Sequence, residues 1–211
     1  NGYINVDNTK MSKSLGNFFT VRDVAAQYGY EPIRYLMVSS QYRSPVNYST
    51  EVIEQCIASL SRLSNCRENL AFFIGNASEQ NNASDEQLKS KYESRKQAFI
   101  EAMEDDLNTA DAIASIFELV KDINTAIADA TASKSSCLAG QRILDELCGV
   151  LGLNCKKESG MLDEDVEKLI AERTAARQEK NWARADEIRD TLKEMGIVME
   201  DTPHGVKWSR Q

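Results

Sequence analysis

One stretch of the sequence decides the fold: Ser49–Ile74, which reads STEVIEQCIASLSRLSNCRENLAFFI. Its apolar side chains recur near the helical period, and the Ser49 hydroxyl is suited to accept a hydrogen bond from the first turn. The apolar positions are Ile53, Ile57, Leu60, Leu63, Leu70 and Ile74. Because such a stripe must be buried, the stretch predicts one long amphipathic helix with helical partners.

Three partners follow along the chain. Helical patterns begin at Ser84, at Thr109 (a predicted N-cap) and at about Cys137, and the last ends near Leu151 ahead of Gly152. Polar joints, 75–84 and 131–136, separate them. Residues 49–155 are therefore predicted to form an antiparallel four-helix bundle, and the chain is expected to be mainly α.

The segments before the bundle are shorter. Tyr3–Asp7 alternates apolar and polar residues, which predicts a strand within a first segment, 1–19. Thr20 with Asp23 predicts a capped helix that ends at Gly29. Pro32 opens a second helix with Arg34 pointing outward, so residues 20–48 are predicted to be connecting helices.

A composition shift at 156–160 separates a C-terminal module, 161–211. Helical patterns cover Asp163–Glu179 and Trp182–Met195; Asn181 caps the second, and Gly196 ends it. Two apolar stretches then flank Asp201–Gly205, which predicts a β-hairpin. The module is predicted to be a small α+β unit of two helices and a hairpin.

Charge and cysteine content exclude several classes of protein. The formal net charge of −8 argues against a generally basic nucleic-acid coat, although residues 1–50 carry five Lys or Arg against three Asp or Glu. The five cysteines lack metal-ligand spacing and there is one His, so we expect no metal site. Scattered on apolar faces, the cysteines indicate reduced core thiols and a cytoplasmic protein. No apolar run is long enough to cross a membrane.

Near the start of the chain, Lys10–Asn17 reads KMSKSLGN. Two lysines three residues apart, with hydroxyls on both sides of the second, suit a polyphosphate, because ammonium groups neutralise phosphate oxygens and Ser hydroxyls add donors. Gly16 permits an unusual backbone conformation. On composition alone, a basic surface loop without a ligand is the commoner explanation for a Lys-Ser cluster.

The C-terminal module offers a second candidate site. Trp182 stands at a helix start beside Arg177 and Lys180, and an aromatic face next to cations can hold an unstacked nucleotide base. Arg177, Asp186 and Asp201 are candidate readers of base edges, since Arg donates to carbonyls and carboxylates accept from amino groups. Taken alone, Trp182 is more often packed between two small helices, and each charge is more often a surface group.

The Lys10–Asn17 string resembles the KMSKS signature of class I aminoacyl-tRNA synthetases, with the Leu-Gly-Asn that usually extends it. The resemblance implies a loop that closes over ATP, with Lys13 as the main contact and Lys10 assisting. Both lysines would then be catalytic, offsetting charge on the departing pyrophosphate. The remaining ATP-binding residues implied are Met11, Ser12 and Ser14.

Two further stretches resemble one member of that class, the cysteinyl-tRNA synthetase family. Pro32–Ser49 is similar to the segment that lies against the inner corner of the tRNA. Arg177–Asp201 is similar to the module that reads the GCA anticodon, which implies that Trp182 stacks on a base while Arg177, Asp186 and Asp201 bind base edges. Three separated stretches therefore indicate the C-terminal part of this family.

The resemblance implies a set of ligands, and it implies that the chain lacks part of the catalytic machinery. ATP with Mg²⁺, cysteine and tRNA(Cys) are the expected ligands of a monomeric parent enzyme. The HIGH sequence and the zinc ligands of the family lie upstream of the KMSKS loop and are absent from this sequence. We therefore expect the chain alone to bind tRNA without activating cysteine.

Two other classes stay open. One is a related ligase that joins cysteine to an amino-sugar acceptor; it would have no use for an anticodon reader. The other is a non-enzymatic RNA-binding helical module in which the KMSKS string has no function.

Overall fold

The computed structural model describes residues 2–76, 83–153, 162–179, 181–194, 197–202 and 205–210. The chain divides into two compact units, Asn1–Lys156 and Lys157–Gln211. The first unit begins with strands β1 (Ile4–Val6) and β2 (Thr9–Lys10), helices α1 (Val21–Tyr28) and α2 (Glu31–Val38) and strand β3 (Val46–Tyr48). It continues with α3 (Thr50–Asn76), α4 (Asp85–Glu104), α5 (Thr109–Ala128) and α6 (Lys134–Val150).

A small sheet with strand order β2-β1-β3 opens the first unit. β1 pairs antiparallel with β2, placing Asn5 opposite Lys10, and parallel with β3, placing Ile4 opposite Val46. The prediction of a strand through Asp7 was wrong at its end, because Asp7 and Asn8 both have positive φ and form the turn. β3 lies between α2 and Ser49, where no strand was expected from the sequence.

A capping box starts the first short helix, α1. The Thr20 hydroxyl accepts from the Asp23 N–H and the Asp23 carboxylate accepts from the Thr20 N–H, so the predicted cap is confirmed. Gly29 ends α1 with φ +78°. Arg34 is exposed, as predicted, although a Cβ on Gly152, just beyond α6, would lie 2.9 Å from its Nη1.

The predicted four-helix bundle is confirmed. α3 packs on α5 and α6, while α4 packs on α5 and α6. Of the predicted stripe of α3, Ile53, Leu63 and Leu70 are buried in the core, and Leu60 and Ile74 are half-buried against it. Ser49 caps α3 as predicted, its hydroxyl accepting from the Val52 N–H at 3.2 Å. The largest fully buried side chains of the bundle are Ile53, Leu63, Leu70, Tyr92, Ile116, Leu119, Ile123, Ile143, Leu144 and Leu147.

Two helix starts differ from the predictions. Asn108, not Thr109, caps α5, because its side-chain oxygen accepts from the Asp111 N–H at 3.2 Å. α6 begins three residues before Cys137, since Ser133 and Ser136 form a reciprocal capping box. The sequence predicts a polar joint for this Ser-rich segment, because capping serines and loop serines have the same composition.

The second unit contains α7 (Leu162–Gln178), α8 (Trp182–Glu194), β4 (Ile197–Thr202) and β5 (Gly205–Arg210). β4 and β5 pair antiparallel, with Ile197 opposite Arg210 and Thr202 opposite Gly205. The predicted two helices and hairpin are confirmed. The buried core is small: Val166, Ile188, Leu192 and Ile197. Gly196 and His204 lie outside the described residues.

The four cysteines of the described residues are buried, which confirms the prediction of core thiols; Cys155 lies outside these residues. Burial raises the pKa of Cys56 and of Cys137 to about 11, because a thiolate is poorly solvated there. Within the described ranges, no helix is long and apolar enough to span a membrane, and no three His, Cys, Asp or Glu side chains are grouped to hold a metal ion.

Gly140 lets α6 approach α4 and α5. A Cβ there would lie 3.1 Å from Ile123 Cδ1 and 3.3 Å from Tyr92 Cε2, and both side chains are fully buried and cannot move aside. We expect Gly140→Ala to lower the free energy of unfolding by about 1–2 kcal/mol, after the helix-propensity gain of alanine. Denaturation followed by circular dichroism measures this value.

The matched control lies in the same helix. A Cβ on Gly149 would meet no atom within 4 Å, so Gly149→Ala should raise stability by up to about 1 kcal/mol. Equal effects of the two substitutions would show that packing at Gly140 is not tight.

Asp122 is the buried acid between α4 and α5. Its exposed fraction is 6%, and its carboxylate binds Lys91 Nζ at 2.8 Å and Arg95 Nε at 2.9 Å. Desolvation by itself would raise the pKa of Asp122, but the hydrogen bonds and charges of Lys91 and Arg95 outweigh it and hold the pKa below its usual value. The ionised carboxylate therefore stabilises the folded state.

The lowered pKa of Asp122 makes the stability of the folded state depend on pH. Stability from Asp122 is fully present above its unfolded pKa, about 3.9, and is lost as pH falls through the lower folded pKa. Asp122→Asn should cost about 2 kcal/mol at pH 7, and the difference from wild type should shrink below about pH 4. Urea denaturation at a series of pH values measures this gap.

Glu93→Gln removes an exposed ion pair, Glu93 to Arg142 at 3.4 Å, and serves as the control. Its effect should stay below about 0.5 kcal/mol at every pH. A gap for Asp122→Asn that does not change with pH would contradict the assigned linkage.

Candidate nucleotide and RNA sites

The lysine loop, Lys10–Asn17, starts within the sheet. Lys10 is the last residue of β2, and the chain then turns over Lys13–Gly16, where the Gly16 N–H donates to the Lys13 carbonyl at 3.2 Å. Gly16 has φ +70°, the conformation for which a glycine was expected. The structure thus places the predicted ATP-binding residues, Lys10 to Ser14, on one short exposed loop.

Side-chain hydrogen bonds close this loop. The Ser12 N–H donates to Asn17 Oδ1 at 2.9 Å, and the Leu15 N–H donates to Ser12 Oγ at 3.2 Å. The hydroxyls of Ser12 and Ser14 lie 3.1 Å apart. Ser12 thus lies between the two lysines and Ser14 directly after the second, where their hydroxyls can also reach an anion.

The two lysines rest on aromatic rings. Lys13 Nζ lies 5.3 Å from the ring centre of Phe18, and Lys10 Nζ lies 5.8 Å from that of Tyr3. A ring face attracts an ammonium group without neutralising its charge. Within the described part of the chain, neither ammonium group forms an ion pair with a carboxylate, so no acid there competes with an anionic ligand for either lysine.

Phe18 and Tyr3 were not predicted from the sequence to contact the lysines of the loop. A signal existed for Phe18, because an aromatic residue five positions after a lysine can reach it across a turn. None existed for Tyr3, since its approach to Lys10 depends on the β1–β2 hairpin.

The chain beyond the loop is anchored on both sides. Phe19 packs against Tyr48 of β3 with ring centres 4.6 Å apart. Thr20 then caps α1, and the hydrogen bonds from its backbone N–H and its hydroxyl lower the pKa of Asp23. The loop therefore leaves one strand of the sheet and returns against another.

An ion pair connects the segment before β3 to the bundle. Asp106, in the α4–α5 turn, accepts from the Tyr42 hydroxyl at 2.9 Å and pairs with Arg43 at 3.1 Å. The contact is exposed, so its contribution to stability is small.

The second candidate site lies on α7 and α8. Trp182 is the first residue of α8 and is 59% exposed, so it is not packed between the two helices. Asn181 caps α8 as predicted, its side-chain oxygen accepting from the Arg184 N–H at 3.3 Å. Asp186 follows Trp182 by four residues, which places both on one face of the helix.

The other predicted residues lie on neighbouring elements. Arg177 is exposed in the last turn of α7, and Asp201 lies in β4 opposite Val206. Asp186 pairs with Arg189 at 3.2 Å, a surface contact that a ligand could replace. Lys180 lies outside the described residues.

Arg184 joins the two helices and was not singled out from sequence. Its guanidinium binds Glu172 of α7 at 2.8 Å and Glu187 of α8 at 2.7 Å. These contacts fix the start of α8, and with it the position of Trp182, against α7.

Known protein families match three segments of the chain, and curated relatives match all of it. The model of the class I (C) tRNA synthetase catalytic domain matches residues 1–58, the DALR domain matches 98–156, and the cysteinyl-tRNA ligase anticodon binding domain matches 159–208. A cysteine--tRNA ligase of Clostridioides difficile (strain 630) is 47% identical over all of this chain and 45% of its own length. One from Lachnospira eligens is 46% identical over all of this chain and 44% of its own length.

The chain belongs to the cysteinyl-tRNA synthetase family. It corresponds to the C-terminal part of that family and spans about 45% of the length of the curated relatives it matches. The resemblance drawn from the KMSKS string, Pro32–Ser49 and Arg177–Asp201 is thereby confirmed.

A solved structure is similar in fold. It is the ternary complex of Agrobacterium radiobacter K84 agnB2 LeuRS with tRNA and LeuAMS, with a TM-score of 0.57 and 21% identity over 72% of this chain and 22% of that one. The likeness supports the class I synthetase fold of the cysteinyl-tRNA synthetase chain, as predicted.

The two tryptophans test how the C-terminal unit is packed. Trp208 packs against the core of Val166, Ile188, Leu192 and Ile197, whereas Trp182 is mostly exposed. Trp208→Ala should therefore lower the unfolding free energy by about 2 kcal/mol, and Trp182→Ala by less than about 0.5 kcal/mol. Urea denaturation followed by the fluorescence of the remaining tryptophan reports on this unit alone. A large loss in Trp182→Ala would assign that side chain to the core.

Proposed function

We propose that this chain is the C-terminal part of a cysteine--tRNA ligase, which activates cysteine with ATP and transfers it to tRNA(Cys). The relatives that match its whole length carry that name, and the chain has segments similar to both a catalytic and an anticodon binding domain. Its buried thiols support an enzyme of the reducing cytoplasm.

In this proposal the lysine loop binds the ATP phosphates. Lys13 is the main contact and Lys10 assists, since both ammonium groups are exposed and lack acidic partners among the described residues. Their charges would stabilise the pyrophosphate that leaves when the cysteine carboxylate attacks the α-phosphate. The Ser12 and Ser14 hydroxyls would add hydrogen-bond donors, whereas the Met11 N–H already donates to the Ile4 carbonyl at 3.1 Å.

The family implies Mg²⁺ with ATP and zinc for selecting the cysteine thiolate. The described residues hold no group of three ligating side chains, and the buried thiols of Cys56 and Cys137 have raised pKa values that disfavour metal binding. They do not fit a zinc site. We place the zinc ligands in the part of the relatives that this chain does not span.

In this proposal each of four segments of the chain has its own function. Residues 1–19 complete the catalytic domain, 20–48 contact the tRNA stem, 49–155 form the bundle, and 161–211 read the anticodon. An acidic module can still bind RNA if stacking and base-edge contacts replace phosphate contacts.

One observation favours anticodon reading above all: Trp182 is exposed at the start of α8, inside the segment similar to anticodon binding domains. Its ring would stack on an anticodon base while Arg177, Asp186 and Asp201 bind base edges. A ligase acting on an amino-sugar would have no use for this surface.

The test compares binding of the chain to a tRNA(Cys) transcript and to the same transcript with a changed anticodon. Wild type should prefer the native anticodon. Trp182→Ala should weaken binding by about tenfold or more and abolish the preference, because stacking on one base contributes about 1–3 kcal/mol. Trp182→Phe should keep most of the binding affinity and of the preference for the native anticodon, because a phenyl ring can also stack. Fluorescence anisotropy with labelled transcripts gives the dissociation constants.

Val198→Ala removes another exposed apolar side chain of the same unit and should leave both affinities unchanged. Equal wild-type affinity for the two transcripts, or full selectivity in Trp182→Ala, would refute anticodon reading by this surface.

A further inference from the structure

Asn17 bridges the two ends of the lysine loop. Its side-chain oxygen accepts from the Ser12 N–H at 2.9 Å, and its Nδ2 donates to the Lys10 carbonyl at 3.4 Å. One carboxamide thus holds the backbone on both sides of Met11. An aspartate could keep the first bond but has no donor for the second, and it would add a negative charge beside both lysines.

Phe18 supports the second lysine of the loop. Its ring is about half exposed, and the Lys13 ammonium group lies 5.3 Å from its centre. The next residue, Phe19, packs against Tyr48 of β3 and fixes the backbone that carries Phe18. The ring therefore holds the Lys13 ammonium group in one position by a cation–π contact. No carboxylate is needed there that would compete with phosphate.

We propose that Asn17 and Phe18 are positioning residues of the phosphate site: Asn17 sets the backbone between Lys10 and Ser12, and Phe18 holds the ammonium group of Lys13. The inference rests on the proposed role of the loop in binding ATP phosphates. A long lysine side chain has many rotamers, and restricting them before phosphate arrives lowers the entropic cost of binding.

The effect on binding follows from this geometry. Without the Asn17 bridge, the Lys10–Ser12 backbone loses two hydrogen bonds that fix the separation of the lysines. Without the Phe18 ring, Lys13 samples more solvent conformers. Each loss should weaken phosphate binding although neither side chain provides a charge for phosphate.

NMR spectroscopy of the full 211-residue chain tests positioning without any ligand. In Asn17→Ala, the exchange protection of the Ser12 amide should fall by about tenfold, the size expected for a lost hydrogen bond. In Phe18→Leu, the Lys13 side-chain protons should lose the upfield shift that an aromatic ring causes, and Phe18→Tyr should retain it. Leu15→Ala changes an exposed side chain of the same loop and should alter neither signal.

Titration with inorganic pyrophosphate then tests the consequence. Wild type, Leu15→Ala and Phe18→Tyr should bind alike, Asn17→Ala and Phe18→Leu about threefold to tenfold more weakly, and Lys13→Ala not measurably. Unchanged amide signals of α1 in each variant show that the fold is intact.

The two possible failures are distinct. If wild type binds pyrophosphate through Lys13 but Asn17→Ala and Phe18→Leu bind equally well, the positioning role is wrong and the phosphate loop stands. If wild type shows no binding that depends on Lys13, the proposed phosphate role of the loop is overturned, and this inference with it.

Discussion

Burial of the apolar stripe of α3 is the constraint on which the first unit depends. Ile53, near its start, and Leu63 and Leu70, further along, are almost wholly removed from water. The same helix contacts α2 and β3 at one end and α5 and α6 along its length. The sheet that carries the lysine loop therefore shares one hydrophobic core with the bundle, and the position of the loop follows from helix packing.

The lysine loop shows how an acidic chain can keep a cationic site. The net charge is −8, and many other cations are paired, as Arg67 is with Asp145 at 2.6 Å. Lys10 and Lys13 lie instead on the rings of Tyr3 and Phe18. Aromatic partners keep the side chains ordered at little electrostatic cost, whereas a carboxylate partner would have to be displaced by a phosphate.

Features set by neighbouring residues could be predicted from sequence, and features set by distant contacts could not. The caps at Thr20, Ser49 and Asn181 are local, and they were identified correctly. β3 owes its conformation to parallel pairing with a strand some forty residues earlier, and the approach of Arg34 to Gly152 joins residues far apart in sequence. Both were missed because no local pattern encodes them. Residues of the lysine loop were found from the motif, but their aromatic supports needed the hairpin geometry.

In the C-terminal unit, the position of Trp182 likewise depends on how the surrounding helices pack. Its buried core is small, so ion pairs of Arg184 with Glu172 and Glu187 help to hold α7 against α8. That arrangement leaves Trp182 at the helix start, outside the core. With three more acidic than basic residues in 161–211, phosphate attraction would contribute little to binding. An RNA contact on this surface would then depend on base stacking and hydrogen bonding, which depend on base identity and position, so a weakly attracting module is suited to discriminate between sequences.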